Sequence, residues 1–248
     1  MLTNKVIVVT GGTKGIGKSV VLEFLKQGAR VMAVYSKDDD AAQNLKNSLS
    51  VNEKDRLFFY KGSVQDIHFL RKLFQDIETK FGQLDILINN AGTNKDDLFL
   101  DMEEDAWVNV ISTNIKGTLN ASLLASEIMK KSANPGYIVN ISSISGVFGR
   151  AGQANYACSK GAIIGITKLL AKKLFKDHIF VNAVVPGLIR TEMAQDMSEE
   201  KTKEIIAAAV LSRIGEVQEV TKMILFLACE DSSYTSGTCI KVDGGYLK

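Results

Sequence analysis

Proline, histidine and cysteine are scarce in this sequence, and each shortage excludes something. Two prolines, Pro135 and Pro186, occur in 248 residues, and both stand beside apolar runs that read as strands. No Pro-rich linker therefore divides the chain. The two histidines, His68 and His178, stand alone, and the three cysteines, Cys158, Cys229 and Cys239, form no Cys-x-x-Cys pair. A metal site built from His and Cys is not expected. An odd number of widely spaced cysteines argues against a disulfide scaffold and for a reduced, cytoplasmic setting. Long hydrophobic runs are missing too. The first, Val6 to Val9, ends at glycines, far short of a signal-peptide core or of the ~20 residues that span a membrane. The net charge is +2, with the two signs interspersed and no long basic block. Neither a nucleic acid nor a membrane is expected as a partner.

Apolar residues make up 46 % of the chain, enough to fill the core of an α/β domain. Apolar runs read as strands at Val6 to Thr10, Arg30 to Tyr35, Leu57 to Tyr60, Leu84 to Ile88, Tyr137 to Ile141, Ile179 to Val185 and Thr238 to Val242. Between them apolar residues recur at helical spacing. The helical stretches are Ile16 to Lys26, Ala41 to Leu49, the stripe from Phe69 to Ile77, a long region from Glu103 to Lys131, Asn155 to Phe175, and Val217 to Ala228. Strand and helix alternate throughout. That order predicts an α/β fold: one doubly wound parallel sheet of about seven strands, with helices on both faces. With no internal linker, residues 1–248 form a single domain. The glycine-rich turn after the first strand and the later turns then gather at the carboxyl edge of the sheet, where such folds bind ligands. A variable, polar-to-apolar stretch within about 188–212 is expected to form a lid over that edge.

The first turn, Gly11-Gly12-Thr13-Lys14-Gly15-Ile16-Gly17-Lys18-Ser19, fits two patterns at once. Gly12, Gly17, Lys18 and Ser19 satisfy the P-loop spacing. Gly11, Gly15 and Gly17 satisfy Gly-x-x-x-Gly-x-Gly, while the strict Gly-x-Gly-x-x-Gly is absent. Both patterns follow a strand and open a helix, so both hold phosphate on backbone N–H groups and a helix N-terminus. Against the P-loop, no apolar strand ends in a suitable Mg²⁺-holding Asp. The second strand ends Val34-Tyr35-Ser36-Lys37, with no acid at its tip to accept from the ribose hydroxyls of NAD. Ser36, Lys37 and Lys14 instead suit a 2′-phosphate and favour NADP(H), against the pull of Asp38, Asp39 and Asp40 just beyond.

Tyr156 and Lys160 stand four apart on one predicted helix and share a face. A tyrosine titrating near ~10 is a poor acid or base at neutral pH. A neighbouring ammonium stabilises the phenolate and makes the pair usable in proton transfer. Ser142, Ser143 and Ser145 follow a strand at the active edge, where a hydroxyl can polarise a substrate carbonyl or simply satisfy the turn. No Gly-x-Ser-x-Gly elbow surrounds them, so a serine hydrolase fits poorly. Asn114 interrupts an otherwise helical pattern, where its side chain or a local break can hold a water. Asn89-Asn90-Ala91-Gly92 closes the fourth strand with small and amide residues that let a flat ligand lie close.

In combination, Thr10 to Gly17, Asn89-Asn90-Ala91-Gly92, Asn114, Ser143, Tyr156-Ala157-Cys158-Ser159-Lys160, and Pro186-Gly187 with Thr191 resemble the short-chain dehydrogenase/reductase family along essentially the whole chain. The resemblance implies a Rossmann-type domain and makes Lys18 and Ser19 an accidental P-loop match. It implies a catalytic tetrad in which Tyr156 is the proton donor, Lys160 binds the nicotinamide ribose and lowers the tyrosine pKa, Ser143 holds the carbonyl, and Asn114 holds a water. It implies cofactor contacts from Gly11, Thr13, Lys14, Gly15, Ile16, Gly17, Ser36, Lys37, Ser63, Val64, Asn90, Ala91, Gly92, Tyr156, Lys160, Pro186, Gly187, Ile189 and Thr191. Ser63 departs from the family pattern, which has an Asp there for the adenine amino group. Within the family, Asn94 to Leu100, Gly152 to Tyr156 and Asp243-Gly244-Gly245 resemble the 3-oxoacyl-[acyl-carrier-protein] reductases. That likeness implies a homotetramer and an acyl-carrier protein as substrate carrier, with Lys130, Lys131, Lys172, Lys173 and Lys176 as a candidate positive surface. The alternative is a reductase or dehydrogenase of the same family acting on a polyketide-type, steroid, sugar or small-molecule carbonyl or alcohol.

Overall fold

Strand β1 (Val6–Thr10) is followed by helix α1 (Gly15–Lys26), β2 (Arg30–Tyr35), α2 (Asp39–Asn47), α3 (Val51–Lys54), β3 (Leu57–Lys61) and α4 (Ile67–Phe81). The second half runs β4 (Ile86–Asn89), α5 (Glu104–Ile111), a π-helical turn (Ser112–Lys116), α6 (Gly117–Met129), β5 (Gly136–Ile141), α7 (Ser145–Phe148) and α8 (Ala154–Leu174). It closes with β6 (Ile179–Pro186), α9 (Glu192–Gln195), α10 (Glu199–Ala207), α11 (Val217–Leu227) and β7 (Cys239–Val242). This computed structural model describes residues 2–195 and 197–247, without the side chains of Met193 and Gln195. Asp196 and the Met193 side chain, both in the expected lid, lie outside that description.

The strands form one parallel sheet in the order β3-β2-β1-β4-β5-β6-β7. Side chains alternate across it, so each continuously apolar strand feeds two cores. Ile7, Val9, Val31 and Val139 pack on one face under α1 and α11, with Val20, Phe24 and Ile224. Val6, Val8, Met32 and Ile138 pack on the other, under α4, α6 and α8, with Leu70, Phe74, Ala121 and Leu174. Both faces are covered, as the strand composition predicts, and the result is a single-domain Rossmann-type fold. Strand order reverses between β1 and β4. The crevice at their carboxyl ends lies between the glycine loop and Asn90-Ala91-Gly92, the usual ligand position of such sheets.

Helix and strand limits differ from the sequence reading by a residue or two at most ends. One difference has structural content. The long helix expected from Glu103 to Lys131 is divided into α5 and α6 by the π-helical turn Ser112–Lys116. Such insertions occur where a helix must present a side chain off its regular spacing, and Asn114 sits in the middle of this one. The expected lid stretch folds as two helices, α9 and α10.

Candidate active site

The phosphate-type loop is built by glycine geometry and by one asparagine. Gly11 and Gly15 adopt φ of +64° and +49°, where a side chain is strained. A Cβ on Gly17 would lie 2.1 Å from the Gly11 carbonyl oxygen and 2.5 Å from Asn90 Nδ2, so α1 can begin under the loop only with glycine there. Asn90 Nδ2 donates to the carbonyl oxygens of Thr10 (3.0 Å) and Gly11 (2.9 Å). Thr10 Oγ1 accepts from the N–H groups of Asn90 and Ala91, both at 3.0 Å. The ends of β1 and β4 are thereby pinned together. Lys14, the N-cap of α1, supplies no side-chain cap. The first N–H groups of α1 are open to an anionic ligand, so the loop suits a dinucleotide pyrophosphate. The P-loop reading fails on Ser19: its hydroxyl accepts from Thr221 Oγ1 at 2.8 Å, in the α1–α11 packing rather than at the mouth of the loop.

At the tip of β2, Ser36 and Lys37 are exposed. Lys14 is engaged by two carboxylates, Asp38 and Glu192, the latter at 3.1 Å. Asp38 first and then Glu192 hold the Lys14 pKa above the ordinary lysine value. Asp38 also accepts from Ala41 N at 2.8 Å and so caps α2. Of the three acids that weigh against NADP(H), Asp38 is thus occupied and Asp39 pairs with Lys61. After β3, Ser63 Oγ accepts from Gln65 N at 3.2 Å. Val64 is buried against Gly117, where a Cβ would come within 2.7 Å of its methyl group.

Four expected residues converge beside the loop. Lys160 is buried on α8 and donates from Nζ to the Ile141 carbonyl at 2.8 Å. Burial lowers its pKa to about 8. Its Nζ stands 5.6 Å from the centre of the Tyr156 ring. Burial also raises the Tyr156 pKa to about 12, the charge of Asp96 reinforcing the rise and the neighbouring Ser143 hydroxyl opposing it; Lys160 does not bring it down in this structure, contrary to the expectation from the sequence. Asn114, 1 % exposed, donates from Nδ2 to Thr93 O (2.9 Å) and Ser159 Oγ (2.8 Å), and its Oδ1 accepts from Thr93 N (2.9 Å). A Cβ on Gly92 would lie 3.2 Å from Lys160 Nζ and 3.4 Å from Asn114 Oδ1, so glycine keeps the space in front of both open.

The three serines separate cleanly. Ser142 donates to the Lys160 carbonyl at 2.8 Å, and Ser145 to Gln153 Oε1 at 2.9 Å, so both are tied into the scaffold. Ser143 Oγ accepts from Ser145 N at 3.2 Å, donates to no protein acceptor among the described residues, and neighbours Tyr156. The loop after β6 joins the site from the other side. Gly187 packs where a Cβ would meet Asp243 Cα at 2.8 Å, and Thr191 Cγ2 comes within 3.4 Å of a Cβ position on Gly15. Ile189 is buried and bridges to Gly215. Sequence reading missed Thr10, Gln153, Asn155 and Ser159 as site builders. Thr10 and Ser159 lie inside quoted motif stretches, and buried Gln153 and Asn155 flank Tyr156, which was the available signal. The lysines proposed as a carrier surface sit elsewhere in the chain. Lys130 pairs with Asp177 (3.3 Å) and Lys131 with Glu78 (2.6 Å), while Lys172, Lys173 and Lys176 are exposed near the amino-terminal edge of the sheet.

The family model described as Enoyl-(Acyl carrier protein) reductase matches residues 11–247. The chain is 39 % identical over 248 residues to the 3-oxoacyl-[acyl-carrier-protein] reductase FabG of Thermotoga maritima, covering 99 % of each chain. The chain belongs to the short-chain dehydrogenase/reductase family. It is also 36 % identical over 245 residues to the reductase of that name from Chlamydia trachomatis, covering 99 % of this chain and 98 % of the relative. With the reductase of Staphylococcus aureus the identity is 34 % over 245 residues, 99 % of each. The short-chain dehydrogenases/reductases are oxidoreductases that bind a nicotinamide dinucleotide on a Rossmann-type fold, and this chain is one of them. Among the described residues no helix is long and apolar enough to cross a membrane.

Proposed function

We propose that this chain reduces the β-ketone of a 3-oxoacyl group, carried on an acyl-carrier protein, to the 3-hydroxyacyl product, with NADPH as reductant. The observation that carries the reading is the grouping of Tyr156 and Lys160, Nζ 5.6 Å from the ring centre, with the end of β5 that leads into Ser143, at the sheet edge that holds the glycine loop. The names of the relatives at full coverage support the substrate. Bound NADPH supplies the hydride.

The residues of the chain do the rest. Ser143 donates to the ketone oxygen, and Tyr156 gives that oxygen its proton as charge develops. Lys160 in its ammonium form favours the phenolate that results. Its Nζ spends one N–H on Ile141 O, and the other two suit the hydroxyls of the nicotinamide ribose. Asn114 holds a water from which the proton is replaced. Gly11, Thr13, Gly15, Ile16 and Gly17 cradle the pyrophosphate. Asn90, Ala91, Gly92, Pro186, Gly187, Ile189 and Thr191 border the nicotinamide half, and Ser63 and Val64 the adenine. Lys14, Ser36 and Lys37 take the 2′-phosphate, with Lys14 exchanging Asp38 and Glu192 for phosphate oxygens. Residues 188–212 act as the lid: Glu192 already reaches Lys14, and Met197 sulfur accepts from Arg150 at 3.4 Å.

The working form in this reading is a cytoplasmic homotetramer assembled through α8 and the C-terminal segment, where Leu169 and Leu247 are exposed. The test is incubation with NADPH and acetoacetyl-carrier protein, with the product read by mass. Gain of two hydrogens as a 3-hydroxyacyl thioester supports the assignment; an unchanged thioester contradicts it.

A further inference from the structure

The segment after β4 is strapped across the start of the helix that carries Tyr156. Asn155 Nδ2 donates to Lys95 O at 2.9 Å, and Asp97 N donates to Gly152 O at 2.9 Å. Between these ties, Gln153 Nε2 donates to Asp96 Oδ2 at 2.7 Å, and Asn94 Nδ2 donates to the other carboxylate oxygen at 2.9 Å. The far end of the Gln153 amide is also used. Its Oε1 accepts from Ser145 Oγ at 2.9 Å, and Ser145 N donates to Ser143 Oγ at 3.2 Å. A continuous polar chain therefore runs Asp96–Gln153–Ser145–Ser143 and ends at the Ser143 hydroxyl, the neighbour of Tyr156.

Gln153 is the N-cap residue of α8 yet makes no side-chain cap to it. It is 7 % exposed, and a buried amide is costly unless both ends find partners. Here both ends are spent crosswise, one on the β4 loop and one on the β5 loop. Helix capping does not explain the residue, but registration of three elements does. The charged groups facing Tyr156 are Lys160 on its own helix and Asp96 from the β4 loop, with neutral Ser143 from the β5 loop.

We infer that Gln153, oriented by Asp96, is a positioning residue that sets the Ser143 and Tyr156 hydroxyls at the separation a ketone oxygen needs. The inference rests on the ketone-reductase reading of the site. Misplacement of about 1 Å in such a constellation costs on the order of 10²-fold in rate.

The experiment compares the intact chain with Q153L, D96A, the double variant and D96N. It reads kcat, the KM of the ketone substrate, NADPH affinity and Tm. Expected are kcat losses of about 10- to 100-fold in Q153L and D96A, with KM and NADPH affinity within twofold. The double variant should lose no more than the worse single one, since residues acting as a unit are not additive. D96N keeps an acceptor for Gln153 and should recover most of kcat. Losing the carboxylate charge, it should also move the alkaline limb of the pH–rate profile to lower pH. Additive losses, a raised ketone KM at unchanged kcat, or a Q153L as fast as the parent would each overturn the inference. A parent chain that binds NADPH yet reduces no ketone contradicts the functional reading instead, so the two failures are distinguishable.

Discussion

Lys160 and Tyr156 stand with Nζ 5.6 Å from the ring centre, and the lysine has no carboxylate partner among the described residues. Among the described residues its one hydrogen bond goes to the Ile141 carbonyl. A buried ammonium with so little compensation is held at the expense of the fold.

That cost is measurable. Burial lowers the Lys160 pKa from 10.5 to about 8, a difference of about 3 kcal/mol at 1.36 kcal/mol per unit. Below about pH 8 both folded and unfolded chains carry the proton, and the penalty is fully present. Between about 8 and 10.5 the unfolded chain binds more protons, so stability rises with pH as the folded state sheds its charge. K160M should therefore melt above the parent at pH 7 in the absence of cofactor, although Ile141 O loses its donor. The gap should narrow by pH 10, and turnover should be lost throughout. A K160M gap that does not change with pH argues that the ammonium is not the source.

Y156F should leave Tm and NADPH affinity close to the parent while kcat falls by on the order of 10²- to 10⁴-fold, the range of general acid catalysis. The direction of the pH dependence follows from the protonation state each reaction needs. Ketone reduction uses the protonated phenol and slows as pH rises through its pKa; alcohol oxidation uses the phenolate and speeds up. Near-parental kcat in Y156F would remove the proton-donor assignment.

G17A should lose dinucleotide binding and much of its stability, because the added Cβ would sit 2.1 Å from the Gly11 carbonyl and 2.5 Å from Asn90 Nδ2. Overpacking of this kind costs about 1–3 kcal/mol or more. G82A is the control. Unlike Gly17 it has a positive φ, +67°, and nothing lies within 4 Å of its Cβ position, so it carries backbone strain without overpacking. Calorimetry with and without NADPH separates the two, and equal behaviour would show that loop packing is not what Gly17 protects.

K14M and K37M should weaken NADPH more than NADH, and the NADPH loss should shrink at high salt as the charges are screened. K14M also frees Asp38 and Glu192 from their shared cation, which sharpens repulsion of a 2′-phosphate. Parallel titrations read the preference. Equal losses for both dinucleotides would place neither lysine at the phosphate.

Much of this was legible in the sequence, for local reasons. The apolar runs of β1 and β2 alternate between two covered faces, and the glycine loop follows a strand and opens a helix whatever surrounds it. The unreadable parts depend on residues far apart in the chain. Whether Ser142, Ser143 or Ser145 is free is decided by Lys160 O and Gln153, which take the first and the third. At Asn114 the sequence offers only the asparagine within a helical pattern; that the break is a π-helical turn depends on partners from other elements, Thr93 and Ser159. The pairing of Lys14 with Glu192 joins two loops that lie far apart in the sequence.

The most direct test follows NADPH absorbance with acetoacetyl-carrier protein and, in parallel, with the matching 2-enoyl-carrier protein, since the matching family model is described as an enoyl reductase. Expected are NADPH consumption with the ketone, a 3-hydroxyacyl product, little turnover of the enoyl substrate, and loss of the ketone activity in Y156F. Turnover of the enoyl thioester alone, or of neither substrate by a folded chain that binds NADPH, would contradict the ketone-reductase assignment.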